Sequence, residues 1–226
     1  MPKFRRGKNL KDWKSQRPAA DEGKLRIVGG RFRGRQISYS GDLITRPMKD
    51  NIREAVFNLV GGYIKGKAAF DLFAGTGAMG LEAISRGASQ AILVERHFPT
   101  VKIIEDNARS LDENLKVKVS AGDSFFWCRQ FLKQPETWPT EPWFVMCCPP
   151  YDFYVDRWDE LSAMISGLVD AAPAESVFLV ESDNRFDPNL LPENAAWDVR
   201  HYTPARVAIL KKDFPQLDEL EIEETR

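Results

Sequence analysis

The sequence predicts an α/β fold: an open, mostly parallel sheet with helices on both faces, preceded by a β-hairpin and a helix. Three observations carry that expectation. From Ala68 onward, short apolar runs of strand length alternate with longer amphipathic segments over short connections, the mark of repeated strand–helix–strand units. The first run leads into Gly75-Thr-Gly-Ala-Met-Gly80, whose glycines let a strand turn sharply into a helix. The 226 residues, 43% hydrophobic and 29% charged, suit one domain with a sizeable core and leave too little for a second.

Residues 1–23 mix Pro, Gly and scattered Lys/Arg without periodicity and are expected to form a basic flexible arm. Leu25 to Gly30 and Arg35 to Tyr39 read as two strands joined through Gly29-Gly30 and Gly34, and the connection carries Arg31, Arg33 and Arg35. Arg46-Pro47 is expected to open a helix. Proline suits a first turn, and Ile52, Ala55, Val56, Leu59 and Val60 recur at helical spacing until Gly61-Gly62 stops them. Strands are expected near 68–73, 90–95, 116–120, 143–147 and 176–181, and helices near 78–86, 98–111, 123–133 and 155–171. Trp197–Tyr202 and Arg206–Leu210, split by Thr203-Pro-Ala205, read as a closing antiparallel hairpin. The folded unit thus spans 24–212, and the tail 213–226, with six acids and one arginine, is expected to be disordered.

The net charge of -1 hides an asymmetry: residues 1–53 hold 15 Lys/Arg against 5 Asp/Glu, leaving 17 against 28 in the rest. Such a basic third attracts phosphate-backbone ligands with salt-dependent affinity. No apolar run approaches membrane-spanning length and no early segment has the pattern of a secretory signal, so the cytoplasm is the expected compartment. Cys128, Cys147 and Cys148 form no C-x-x-C and His97 and His201 lie far apart, so no metal is expected. The vicinal pair Cys147-Cys148 reads as buried strand thiols rather than a strained disulfide, because Phe144 to Cys147 is an apolar run.

The turn Gly75 to Gly80 satisfies the dinucleotide fingerprint G-x-G-x-x-G, a weak signal alone. Asp71 argues against a pyrophosphate, which a carboxylate just before the turn would repel. It suits S-adenosylmethionine, which carries an ammonium group and no phosphate. Phe73, Gly75, Thr76, Gly77 and Gly80 are then the candidates to cradle that ligand, with Phe73 equally readable as a core residue at the strand end. Glu95 ends the next apolar run, where a carboxylate can accept both ribose hydroxyls. Asp123, with Ser124 beside it, is placed to accept from the adenine amine or to cap the following helix, and the two roles are compatible.

Cys148-Pro-Pro-Tyr151 follows the fourth strand, on the same sheet edge. Pro149 and Pro150 stiffen the loop and remove two donors, freeing carbonyls to face a pocket, and Tyr151 offers a flat face to a base. An exocyclic amine on a base is a poor nucleophile because its lone pair is delocalised. Acceptors that grip its hydrogens localise that pair and aim it.

With Arg26-Ile-Val-Gly-Gly30, Arg33-Gly-Arg35, Thr45-Arg-Pro47, Arg53-Glu-Ala-Val-Phe-Asn58, Asp71 to Gly80, Glu95 and Pro149-Pro-Tyr151, the chain resembles the bacterial small-subunit (16S) ribosomal RNA guanine-N2 methyltransferase D family from about residue 24 to 212. The resemblance implies a seven-stranded, Rossmann-like class I methyltransferase fold. It also implies an S-adenosylmethionine-dependent enzyme acting on a guanine of small-subunit rRNA, presented as RNA or in an assembled small-subunit particle. Arg31, Arg33, Arg35, Arg46 and Arg53 are the candidates to hold that RNA, and a monomer is the default. One position departs from the family: Asp or Asn leads its Pro-Pro-aromatic motif, whereas Cys148 stands here, and a thiol is a weak acceptor. Two alternatives therefore stay open, an RNA-binding assembly factor that keeps the cofactor pocket without the chemistry, and an adenine-N6 nucleic-acid methyltransferase. A covalent adduct through a Cys148 thiolate is disfavoured, since amine methylation needs none.

Overall fold

The computed structural model describes residues 23–40, 47–192 and 197–214. The expected basic arm up to residue 22, Arg46, and the tail beyond residue 214 lie outside them. Five strands, β3 (Ala68–Asp71), β4 (Gln90–Glu95), β5 (Val117–Ala121), β6 (Trp143–Cys147) and β7 (Val177–Asp183), are parallel to their neighbours. The hairpin β8 (Trp197–Tyr202) and β9 (Ala205–Lys211) closes the sheet antiparallel to β7, in the order β5-β4-β3-β6-β7-β9-β8.

Alternation along the strands sends side chains to two faces. Phe70, Trp143, Val145 and Phe178 pack on one side with Phe125 and Phe131 of α4 (Ser124–Leu132) and Leu161 and Ile165 of α6 (Trp158–Ala171). On the other, Ala69, Phe144, Met146 and Leu179 meet Val56, Phe57 and Val60 of α1 (Asp50–Val60), Ala83 and Ile84 of α2 (Ala78–Ser85), and Ile104 of α3 (Phe98–Leu111). Burial on both faces is why these strands read as continuous apolar runs, each large side chain contributing ~1.5–3 kcal/mol.

The chain builds β3, β4 and β5 outward in one direction, then crosses back to lay β6 on the opposite edge of β3. The strand order reverses between β3 and β6, and a crevice opens at their carboxyl ends. The register pairs Asp71 with Met146, so the glycine turn after β3 and the Pro-Pro-Tyr loop after β6 leave the sheet side by side.

The N-terminal hairpin, β1 (Gly23–Arg26) with β2 (Gln36–Tyr39), is bolted to the helices behind that crevice. Ile27 and Ile37 pack with Ala78 and Leu81 of α2 and Ala108 and Leu111 of α3. Val28 N–H donates to Glu82 Oε2 (2.8 Å), Phe32 N–H to Ser85 Oγ (3.0 Å), and Ser38 and Asn107 exchange two hydrogen bonds. Gly30 is required at the contact: its φ is +71° and a Cβ there would stand 2.0 Å from the Ser85 carbonyl oxygen.

Two expectations are corrected. The helix expected to open at Arg46-Pro47 begins at Asp50, because Lys49 stays extended (φ −59°, ψ 144°) while the Met48 carbonyl accepts from Arg53 Nη1. The helix expected over 155–171 is split into α5 (Phe153–Asp156) and α6 at Arg157 (φ −136°, ψ 28°). There the guanidinium lies 4.0 Å over the Phe125 ring and pairs with Glu160 and Asp123, contacts that draw this residue out of helical geometry.

Candidate active site

The pocket in the crevice is lined by Phe73, Gly75, Thr76, Cys148, Glu181 and Arg53, with Pro47 and Met48 at its rim. Five of these belong to the set expected from the sequence: Phe73, Gly75, Thr76 and Cys148 as pocket residues, and Arg53 as one to hold RNA. Gly75 and Gly77 have positive φ (52° and 76°), the conformation a sharp strand-to-helix turn demands.

Asp71 is 1% exposed and its Oδ2 accepts the Gly80 N–H at 2.9 Å, bracing the turn from behind. Burial pushes its carboxyl up to about 7, the Gly80 hydrogen bond opposes this, and the charge of Glu95 adds to it. Glu95 holds the turn from the other side, Oε2 accepting from Gly75 N–H and Oε1 from His97 N–H, both at 2.8 Å. Each carboxylate oxygen keeps a lone pair for a further donor. Asp123 caps α4, accepting from Phe126 N–H at 2.9 Å, and the Ser124 hydroxyl donates to the Leu72 carbonyl, tying α4 to the end of β3. Neither residue lines the pocket described above. Phe73 meets Phe125 and Phe153 edge-on while facing the pocket.

Across the crevice, Pro149 is buried and Pro150 exposed. The Pro150 and Tyr151 carbonyls accept from Phe153 and Tyr154 N–H as α5 begins, whereas among the described residues no hydrogen bond ends on the Pro149 carbonyl. Cys148 is not an inert strand thiol like Cys147. It is half-buried in the pocket wall, and burial, with Glu181, Asp71 and Cys147 adding, pushes its thiol well up and away from the thiolate.

Glu181, near the end of β7, is the residue the sequence reading missed. Its Oε1 accepts the Tyr151 hydroxyl at 2.8 Å, and its backbone carbonyl accepts the Tyr154 hydroxyl at 2.7 Å. Burial raises its carboxyl, while hydrogen bonds from Tyr151 and Cys148 pull the other way. The signal was present: β3, β4 and β7 each carry an acid after an apolar run, at Asp71, Glu95 and Glu181, and these strands end on one edge of the sheet.

The arginines divide. Arg31, Arg33 and Arg35 are exposed on the hairpin connection, with Arg35 Nη2 donating to the Ser110 carbonyl at 2.6 Å and Arg31 lying 3.9 Å from Asp112. Arg53 is a correction: its side chain is 0% exposed and is not displayed to nucleic acid. Nη2 donates to the Arg26 carbonyl (2.5 Å) and Asp50 Oδ1 (2.9 Å), and Nε lies 3.9 Å from Glu82 Oε2. The guanidinium clamps the hairpin to α1 instead.

With Arg53 engaged in this way, Asp71, Glu95 and Glu181 set the charge around the crevice. That set of carboxylate acceptors opposes a phosphate and fits a cationic ligand such as S-adenosylmethionine.

A parallel sheet whose last hairpin runs antiparallel, with an acid-braced glycine turn at the switch point, is the architecture of class I, Rossmann-like methyltransferases. The family model described as Conserved hypothetical protein 95 matches residues 25–199, and the chain belongs to that family. Ribosomal RNA small subunit methyltransferase D of Haemophilus influenzae is 32% identical over 142 residues, 62% of this chain and 70% of that protein. The solved structure of YhhF from Escherichia coli superposes with a TM-score of 0.66 at 27% identity, covering 84% of this chain and 99% of that one. A Thermus thermophilus 16S rRNA N2 G1207 methyltransferase, RsmC, solved with AdoMet and guanosine, shares the fold at 20% identity (TM-score 0.60, 84% of this chain, 50% of that one). The chain spans only 54% and 58% of two other curated relatives that it matches.

Proposed function

We propose that the protein transfers a methyl group from S-adenosylmethionine to the exocyclic N2 amine of a guanine in small-subunit ribosomal RNA. The observation that carries this reading is the register of β3 against β6, which sets the glycine turn and the Pro-Pro-Tyr loop beside each other at one crevice. When bound, S-adenosylmethionine supplies an electrophilic methyl on a positively charged sulfur. Gly75 to Gly80, braced by Asp71, would hold its methionine end, Glu95 its ribose, and Asp123 with Ser124 its adenine. The Pro149 carbonyl accepts from the target amine, Tyr151 supports the base, and Cys148, a weak acceptor, fills space between them. A stacked target must be extruded to reach this slot. Arg31, Arg33 and Arg35 hold the RNA backbone.

Incubating the protein with labelled S-adenosylmethionine and small subunits that lack the modification, then identifying the methylated nucleoside by mass spectrometry, tests the reading. N2-methylguanosine is the expected product. Cofactor binding with no methyl incorporation would instead favour an RNA-binding assembly factor, and N6-methyladenosine would replace the substrate. For the hairpin, Arg33→Ala and Arg35→Ala are each expected to weaken RNA binding. Each should reduce the slope of log affinity against log salt by about 0.7–0.9. Cofactor affinity measured by calorimetry should not change. RNA affinity equal to that of the unaltered protein in both variants would remove the hairpin from this account.

A further inference from the structure

We infer that Glu181 is the group that reads the target base, its carboxylate accepting both the N1–H and the N2 amine of guanine. The inference rests on the methyl-transfer reading and assigns its base specificity to one side chain. Cys148, at the head of the Pro-Pro-Tyr loop, offers the slot only a weak acceptor. A strong one stands in the adjacent wall: Glu181 lines the same pocket as Cys148 and Gly75. Its orientation is fixed from both ends, by the Tyr151 hydroxyl on Oε1 and by Tyr154 on its own backbone carbonyl. Tyr151 and Cys148 take two of the roughly four lone-pair positions of the carboxylate, so Glu181 retains the capacity to receive two more donors.

Guanine presents two adjacent donors on its Watson–Crick edge, N1–H and N2–H, which match a carboxylate's two oxygens. Adenine presents one donor, N6–H, next to the lone pair of N1, which a carboxylate repels. A half-buried acceptor pair therefore selects guanine by leaving adenine's edge opposed and unpaired. The same contact assists the reaction. The lone pair of N2 forms the new N–C bond as the C–S bond pair returns to sulfur, and the proton that N2 must then lose is taken by the Glu181 carboxylate and passed to water. Neither Cys148, whose thiol is held protonated, nor the Pro149 carbonyl is able to receive it.

Glu181→Gln tests the inference, because the amide keeps the shape and an acceptor for Tyr151 but turns an N–H₂ toward the N1–H of guanine. Three quantities are to be measured: methyl transfer to unmodified small subunits, S-adenosylmethionine affinity by calorimetry, and the affinity of free guanosine and adenosine in the presence of S-adenosylhomocysteine. Expected in the variant are a fall of about 10- to 100-fold in both methyl transfer and guanosine affinity, with cofactor affinity unchanged within about twofold. The unaltered protein should prefer guanosine to adenosine, and the variant should lose that preference. Unchanged transfer in the variant would overturn the role of Glu181 while leaving the methyl-transfer reading intact. Failure of the unaltered protein to bind S-adenosylmethionine would overturn that reading. The nucleoside affinities then decide for Glu181 separately, and equal affinities in both proteins would count against it.

Discussion

Replacing Arg53 with alanine is expected to lower stability by about 3–5 kcal/mol, since it removes one partner from a buried charged cluster and empties a large volume. For a chain of this size that corresponds to a fall of about 6–20 °C in the melting midpoint. The loss is specific to what the guanidinium touches. It leaves the Arg26 and Met48 carbonyls and Asp50 Oδ1 without this donor, Arg26 Nε still holding Asp50 Oδ2, and withdraws a positive charge from beside Glu82, which still holds Val28 N–H and Arg86. Lysine at this position should recover less than half of the loss, because an ammonium on a single stem cannot span the same acceptors. A melting midpoint within 2 °C of the unaltered protein, on the order of a surface substitution, would show that the hairpin is held by its apolar contacts alone.

The second large effect concerns Asp71. Its folded-state carboxyl lies at about 7 against an ordinary value of 3.8, so the folded protein binds a proton that the unfolded chain releases earlier. Below the ordinary value both states are protonated and the group costs nothing. As pH rises toward 7 the unfolded state is progressively favoured, and above 7 the penalty is complete, on the order of 4 kcal/mol as an upper bound. Asp71→Asn keeps an acceptor for Gly80 N–H and removes the charge. The variant should melt at the same temperature as the unaltered protein near pH 4 and increasingly above it toward pH 8. It should also bind S-adenosylmethionine about tenfold more weakly, since a positive ligand loses its nearby charge. Melting curves across that pH range, with and without ligand, measure both effects. A variant less stable at pH 8, or a difference that does not change with pH, would mean that the buried carboxylate is already compensated.

These two residues mark how far the sequence carried. Strands β3, β4 and β6 were legible because burial leaves nearly pure apolar runs, whereas β5, at the sheet edge, is only partly buried; the glycine turn was legible because its backbone takes positive φ at Gly75 and Gly77. Arg53 was misread although the pattern contained it: positions 53, 57 and 60 share a helical face with buried Phe57 and Val60. An arginine in a basic segment was assigned to RNA by its charge, and burial by pairing with Asp50, Glu82 and backbone carbonyls depends on partners that spacing does not disclose. Glu181 carried the same signal as Asp71 and Glu95, an acid after an apolar run, but no glycine turn or other motif adjoins it, and its place at the crevice emerges when β7 is laid beside β6. The break at Arg157 came from a ring in another helix, Phe125, which no local signal connects to it.

One consequence follows from α2 being shared. That helix starts in the glycine turn and, within two turns, receives the hairpin through Glu82 and Ser85. On the proposed function, the jaw that grips phosphates and the jaw that offers the methyl are machined on a single rigid bar. The span between them is a fixed gauge, so a nucleotide would be chosen by how far it stands from the gripped backbone as well as by the identity of its base.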